Sequence, residues 1–337
     1  MKRYRFPRLL AGSIALLAAA TFAGAVSDEA FQLNEEGLVL LKAGKHAQAK
    51  EKFLAAVAAD DVYSEARINA ARAAEMEDPP DWETVKTQYL TVLTYEPENI
   101  DALVGIGEYY VKTPNPEEAK PHLDAALKLD PRKASVHFAL GNMHHKMKQT
   151  QPAKAAYEKT VAADPRGFPR AYLRLGLYEY DAGEKTKDFT KATEILEKYV
   201  LMEDDAEGLS TGRSRLGAIY IQKNDPKKAV EHLEKAKELN PADPWVYYYL
   251  GEAHTKARNF TAAEKEYLAC IEKDPKFGEA HFKLAVLYQQ DEQDEKAIQH
   301  YKAAAADPGF KQKGQAAQMA QQLEEYLRKV REETGGE

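Results

Sequence analysis

The sequence predicts an all-α fold assembled from tandem repeats. Three observations carry that reading. Ala, Leu, Lys, Glu and Tyr prevail over Val, Ile, Thr and Phe along the 337 residues, which favours helix over strand. Prolines that follow Asp, Asn or Glu recur at a fixed period: Pro97, Pro131 and Pro165 stand 34 residues apart, and so do Pro241 and Pro275. Short stretches also echo one another. With 19 Gly and 16 Pro, the chain has too few of either for extended disorder.

The echo is clearest in "ALVGIGEYY" from Ala102, "VHFALGNMHH" from Val136, "RSRLGAIY" from Arg213 and "VYYYLGEAH" from Val246. Each sets an apolar residue before a Gly and a ring three residues after it. An Ala follows about twelve residues later, and most units close on Asp-Pro or Asn-Pro. This pattern resembles the tetratricopeptide repeat, a 34-residue helical hairpin. The resemblance covers nearly the whole chain beyond its leader. It implies a right-handed superhelical solenoid of about eight hairpins over residues 26–309, a C-terminal capping helix over 310–331 and a tail over 332–337.

With the Gly as position 8, units start near Ala30, Ser64, Ile100, Ala134, Pro169, Ser210, Pro244 and Gly278. Position 8 holds Gly37, Ala71, Gly107, Gly141, Gly176, Gly217, Gly251 and Ala285. Position 20 is Ala in every unit but the second, which has Val85. Position 24 is large: Phe53, Tyr89, Leu123, Tyr157, Leu196, Leu233, Tyr267 and Tyr301. Small residues let paired helices approach, and the large ones fill the gap. Extra residues around "MEDPPDW" in the second unit and "EKTKDFT" in the fifth fall between the paired helices, where insertions are tolerated. After the last unit, Ala316, Met319, Ala320, Leu323, Tyr326, Leu327 and Val330 keep helical spacing opposite a polar face, as a capping helix requires.

The first 25 residues read differently. Lys2, Arg3, Arg5 and Arg8 precede an uncharged run that ends on Ala23-Gly24-Ala25, the pattern of a secretory signal peptide cleaved after Ala25. Export, most simply to a periplasm, follows. The alternative is an uncleaved inner-membrane anchor, since Leu9 to Val26 reaches the lower limit for a span. Cleavage takes the basic count from 47 to 43 against 54 acids and the formal net charge from −7 to −11. Such a chain repels nucleic acid and anionic lipid in bulk, although a local basic patch stays compatible with it. The lone Cys270 excludes an intramolecular disulfide, and no integral membrane domain remains after cleavage.

Catalytic and metal chemistry find little support. "GLSTG" around Ser210 matches a nucleophile elbow in letters but follows acidic loop residues rather than a strand, so Ser210 reads as a helix N-cap. His137 and His144 share a helix face at ring positions and read as packed, with His145 beside them. Cys270 reads as a small buried residue. "NFT" at Asn259 matches a glycosylation acceptor. No cofactor is implied and none of these residues is assigned to catalysis.

Positions 2, 5, 6, 9, 12 and 13 of each first helix lie opposite the core face, and stacking turns them onto the concave surface that arrays of this kind use for extended peptides. Units four to six carry Asn142, Lys146, Arg170, Arg174 and Arg215 there, beside Leu177 and Tyr180. Units seven and eight carry Trp245, Tyr248, Tyr249 and Phe282. The expectation is a protein-interaction scaffold of the cell envelope whose basic clamp and aromatic shelf hold a partner segment with acidic and apolar side chains. Family members that clamp a terminal carboxylate are matched only in part, since Phe138 and Arg174 stand where they carry Lys and Asn. Two alternatives stand beside this reading: the arginines pair with acids on neighbouring hairpins, or the rings stack on a glycan.

Overall fold

The computed structural model describes residues 26–202 and 204–333. The leader, its cleavage and the end of the tail lie outside that range. All regular structure among the described residues is helical. The chain forms two compact units, residues up to Gln149 and residues from Thr150 onward. The first unit holds α1 (Asp28–Lys42), α2 (His46–Ala59), α3 (Ser64–Glu75), α4 (Trp82–Tyr95), α5 (Ile100–Lys112), α6 (Ala119–Leu129) and α7 (Ala134–Lys146). The second holds α8 (Thr150–Ala163), α9 (Pro169–Thr186), α10 (Thr190–Tyr199), α11 (Ala206–Gln222), α12 (Pro226–Leu239), α13 (Pro244–Lys256), α14 (Phe260–Lys273), α15 (Gly278–Gln290), α16 (Asp294–Ala306) and α17 (Lys313–Glu333). Within each unit, helices adjacent in sequence pack antiparallel as hairpins, and successive first helices lie side by side.

The small-over-large pairing holds the hairpins together. Phe53, Leu123, Leu196, Leu233, Tyr267 and Tyr301 are fully buried. A Cβ at Gly37 would meet the Phe53 ring, and one at Gly251 the Tyr267 ring. These glycines serve close approach, since a larger residue would push the paired helices apart.

The loops between hairpins repeat two devices. The residue before the closing proline accepts a main-chain N–H two residues on, an Asx turn. Asp130 bonds Arg132 N at 2.9 Å, Asn240 bonds Ala242 N at 3.2 Å and Asp274 bonds Lys276 N at 3.0 Å. Position 4 of the next helix then donates back to the loop. His137 Nε2 reaches Pro131 O at 2.9 Å, Tyr247 Oη reaches Pro241 O at 2.9 Å and His281 Nε2 reaches Pro275 O at 3.1 Å. His137 is therefore a packed loop clamp. His144 instead is half-buried and bonds Gln149 through Nδ1 at 2.6 Å.

Two local expectations need correction. Ser210 is not an N-cap: α11 begins a turn earlier, capped by Asp205, which accepts Gly208 N at 2.8 Å. Ser210 is buried and donates to Ala236 O at 3.0 Å. "GLSTG" is instead a packing notch, because Gly208 leaves room for the hydroxyl of the buried Tyr199 and Gly212 for its ring. The extra residues of the fifth repeat also form no long loop. They extend α9 to 18 residues, since Glu184, Lys185 and Thr186 continue the helix until Lys187 turns left-handed at φ 63°.

Cys270 is fully buried, and burial, with Asp274 nearby, pushes its thiol up to about 12. Native protein at pH 8 should react with a thiol reagent about a thousandfold more slowly than urea-unfolded protein, in proportion to its thiolate. Labelling at equal rates would show the site to be open.

Candidate functional site

The face built by α9, α11, α13 and α15 in the second unit gathers most of the predicted binding residues. Their first helices run in one direction, so residues at equivalent positions form a continuous surface across neighbours. The structure separates groups that take part in packing from groups left available.

Arg170 is committed. Its Nε lies 3.2 Å from Asp204 Oδ2, and Nη2 pairs with Asp205. Asp204 also accepts the Tyr199 hydroxyl at 2.7 Å. Arg170 thus ties the start of α9 to the loop that caps α11, and it leaves the predicted clamp.

Arg174 and Arg215 differ from it. Both are half-buried, and among the described residues neither has a carboxylate within ion-pair distance. Arg174 has the phenols of Tyr157 and Tyr178 as electrostatic neighbours. The Arg215 guanidinium lies 5.4 Å from the Tyr180 ring centre and contacts Tyr249 Oη at 3.5 Å. Burial pushes the Tyr180 and Tyr249 hydroxyls up, and Arg215 opposes that shift at both. The guanidinium is positioned by rings, on which an Arg plane stacks well, rather than by a counter-charge.

The aromatic shelf is layered. Trp245 is 42% exposed. Its ring meets Phe277 edge-on at 4.7 Å and lies 5.8 Å from both Tyr248 and Tyr249. Tyr248 and Tyr249 are half-buried and pack on core residues, Tyr248 against Tyr267 and Phe277. Packing therefore needs both, contrary to a free shelf. Phe282 is corrected further: it is 8% exposed, wedged 5.6 Å from Tyr301 and 5.5 Å from Phe310. It belongs to the core beneath the surface because α16 and the segment before α17 cover it. Beside the shelf, Lys283 pairs with Glu252 at 3.0 Å.

Asn142 and Lys146 lie on α7 in the first unit, Asn142 half-buried and Lys146 exposed. Sequence reasoning passed over two contributors. Tyr180 lies beside the arginines without an expected role, and Phe277 precedes a helix start. An aromatic residue recurs there, as Tyr63 and Phe168 show. Asn259 caps α14 by accepting Ala262 N at 3.3 Å. Among the described residues, no group of three His, Cys, Asp or Glu is placed to hold a metal. None of their helices is long and apolar enough to cross a membrane.

Family profiles match over this same architecture. The tetratricopeptide repeat profile covers residues 34–78, 104–150 and 248–309, and a TPR repeat profile covers 217–257. The chain belongs to the tetratricopeptide repeat family. Among curated relatives, it is similar to the type IV pilus assembly protein PilF of Pseudomonas aeruginosa, 28% identical over 50% of this chain and 64% of that one. It also matches the anaphase-promoting complex subunit CDC16 of Saccharomyces cerevisiae, 22% identical over 60% of this chain. The match spans 24% of CDC16, so this repeat protein covers less than two thirds of either relative's length. The solved Pseudomonas aeruginosa PilF structure aligns with a TM-score of 0.52, 23% identity, 66% of this chain and 97% of that one. The Cut9–Hcn1 assembly aligns with a TM-score of 0.56, 17% identity, 86% of this chain and 55% of that one. Both structural likenesses speak for the tetratricopeptide fold alone.

Proposed function

We propose that this tetratricopeptide repeat protein is a non-enzymatic interaction scaffold that holds an extended partner segment along its first-helix face. An acidic group of the partner meets Arg174 and Arg215, and an apolar group meets Trp245 above Tyr248 and Tyr249. The observation that carries this reading is Arg215, which is held in place by Tyr180 and Tyr249 while no carboxylate of the described residues lies within ion-pair distance of it. A half-buried, oriented guanidinium is suited to receive a carboxylate from outside, since its fork binds one through two parallel hydrogen bonds. The signal-like leader and the likeness to a pilus assembly protein support a place in a bacterial envelope, exported or anchored through the leader.

The test is an array of extended peptides combining Asp or Glu with Phe or Leu. Wild-type protein should retain peptides that carry both classes. Arg174→Glu with Arg215→Glu should weaken retention at least about tenfold per charge, with unchanged helicity by circular dichroism. Equal retention by the double variant would remove the clamp. The exposed Trp245 face also fits a sugar ring. Saturation-transfer NMR with cell-wall fragments separates that reading from the first: transfer to sugar protons that disappears in Trp245→Ala would favour the glycan.

A further inference from the structure

The hairpin turns of the second unit present a surface that the groove does not use. Because α9, α11 and α13 run side by side in one direction, their C-termini reach the same edge. The turn after α9 carries Lys185, Lys187 and Lys191. The turn after α11 carries Lys223, Lys227 and Lys228. Lys256 and Arg258 follow α13. All eight are exposed, and among the described residues none of them forms an ion pair. The acids in these turns are Glu184, Asp188 and Asp225. Asp188 and Asp225 are engaged with main-chain N–H groups of Thr190 and Lys228. Cations so outnumber acids on one edge of a chain whose formal net charge is −7.

The hairpin turns share one backbone device. Lys187 and Arg258 occupy left-handed positions at φ 63° and 58°. That conformation disfavours an L side chain, and the first hairpin fills its corresponding turn with Gly44 at φ 71°. Folding alone asks for Gly or Asn there, as Asn224 shows at φ 58° in the intervening turn. Lys148 and Glu292 take the same conformation at φ 58° and 55°, so the position accepts either charge. The third turn also exposes an aromatic ring: Phe260, next to the cap Asn259, is 49% exposed. The basic run stops at the next turn, where Asp291, Glu292, Asp294 and Glu295 replace it.

We infer that this edge, formed by the turns after α9, α11 and α13, docks onto a bilayer of anionic phospholipid. Cations from successive turns can meet a charged plane together, and a ring beside Arg258 suits the headgroup boundary, where aromatic residues concentrate. The exposed ring is what favours a lipid surface over an acidic protein. Docking there leaves Arg174, Arg215 and Trp245 available, because none of them lies in these turns.

The test is co-sedimentation of the chain lacking residues 1–25 with vesicles of phosphatidylglycerol and phosphatidylcholine in equal parts. Binding should be present at low ionic strength, weaken as salt is raised and be absent on pure phosphatidylcholine. Lys187→Glu, Lys227→Glu and Arg258→Glu together should lower affinity at least about a hundredfold, from about fivefold for each of the three cations lost at the surface. A control triple, Lys235→Glu, Lys265→Glu and Lys302→Glu, changes net charge equally on the outer helices and should lower it far less. Phe260→Ser should weaken vesicle binding without changing retention on polyglutamate. Absence of vesicle binding, equal losses in the two triples, or binding to polyglutamate alone would each overturn the inference.

Discussion

Tyr267→Ala is expected to destabilise the second unit by about 3–5 kcal/mol, the range for deleting a large buried ring. Tyr267 is fully buried, and its ring fills the space opened by Gly251 on the partner helix of its hairpin. Its hydroxyl donates to Glu252 Oε1 at 2.8 Å, and Glu252 also pairs with Lys283. Removing the ring therefore leaves a cavity between α13 and α14 and takes one partner from a half-buried carboxylate. Tyr267→Phe keeps the ring and should cost only about 1 kcal/mol, the net value of one hydrogen bond. Urea unfolding followed by circular dichroism measures both. Because stacked repeats do not always unfold in one step, the transition of the second unit is the quantity to compare. A loss below that of Tyr267→Phe would show that ring packing does not hold this hairpin.

Acidification supplies the second large effect. His281 and His300 face each other through their Nδ1 atoms at 2.9 Å. His281 Nε2 donates to Pro275 O, since a carbonyl only accepts, so neutral His281 has a lone pair at Nδ1. His300 must then donate from its own Nδ1. Burial lowers both rings, and burial with His281 and Lys296 brings His300 down to about 4. Asp274 opposes the shift at His281, and Tyr288 packs its ring against His300. The folded state thus favours neutral rings, while an unfolded His titrates near 6.5. Stability from this pair is fully present above pH 6.5 and is lost as pH falls towards 4, by about 1–3 kcal/mol once solvent around the half-buried ring is allowed for. Urea midpoints at pH 7.5, 5.5 and 4.5 should fall more steeply for wild type than for His300→Gln. Parallel slopes would assign the acid sensitivity to other groups.

These two sites show how far the sequence reaches. Tyr267 and Gly251 were legible because each sits at a fixed place in a 34-residue period, and the same small-over-large pairing recurs in hairpin after hairpin. The His281–His300 contact was not, because the two rings are 19 residues apart on different helices and only the crossing of α15 and α16 brings them together. The same limit explains the binding face. Helical spacing sets Arg170, Arg174 and Arg215 apart from the packing positions, but it carries no information about which acids the neighbouring loop presents. Asp204 and Asp205 take Arg170, while Tyr180 and Tyr249 take the place of a counter-ion at Arg215.

By itself, then, the sequence determined the repeat, its helical class and the small and large packing positions of each hairpin. Those features follow from local periodicity and from the volumes of residues at fixed spacing. Only the tertiary structure decided that Phe282 is core, that Trp245 is exposed above Tyr248 and Tyr249, and that the lysine-bearing turns share one edge. Exposure and ionic pairing depend on neighbours from other hairpins, and their distances are set by packing between helices that no single repeat encodes.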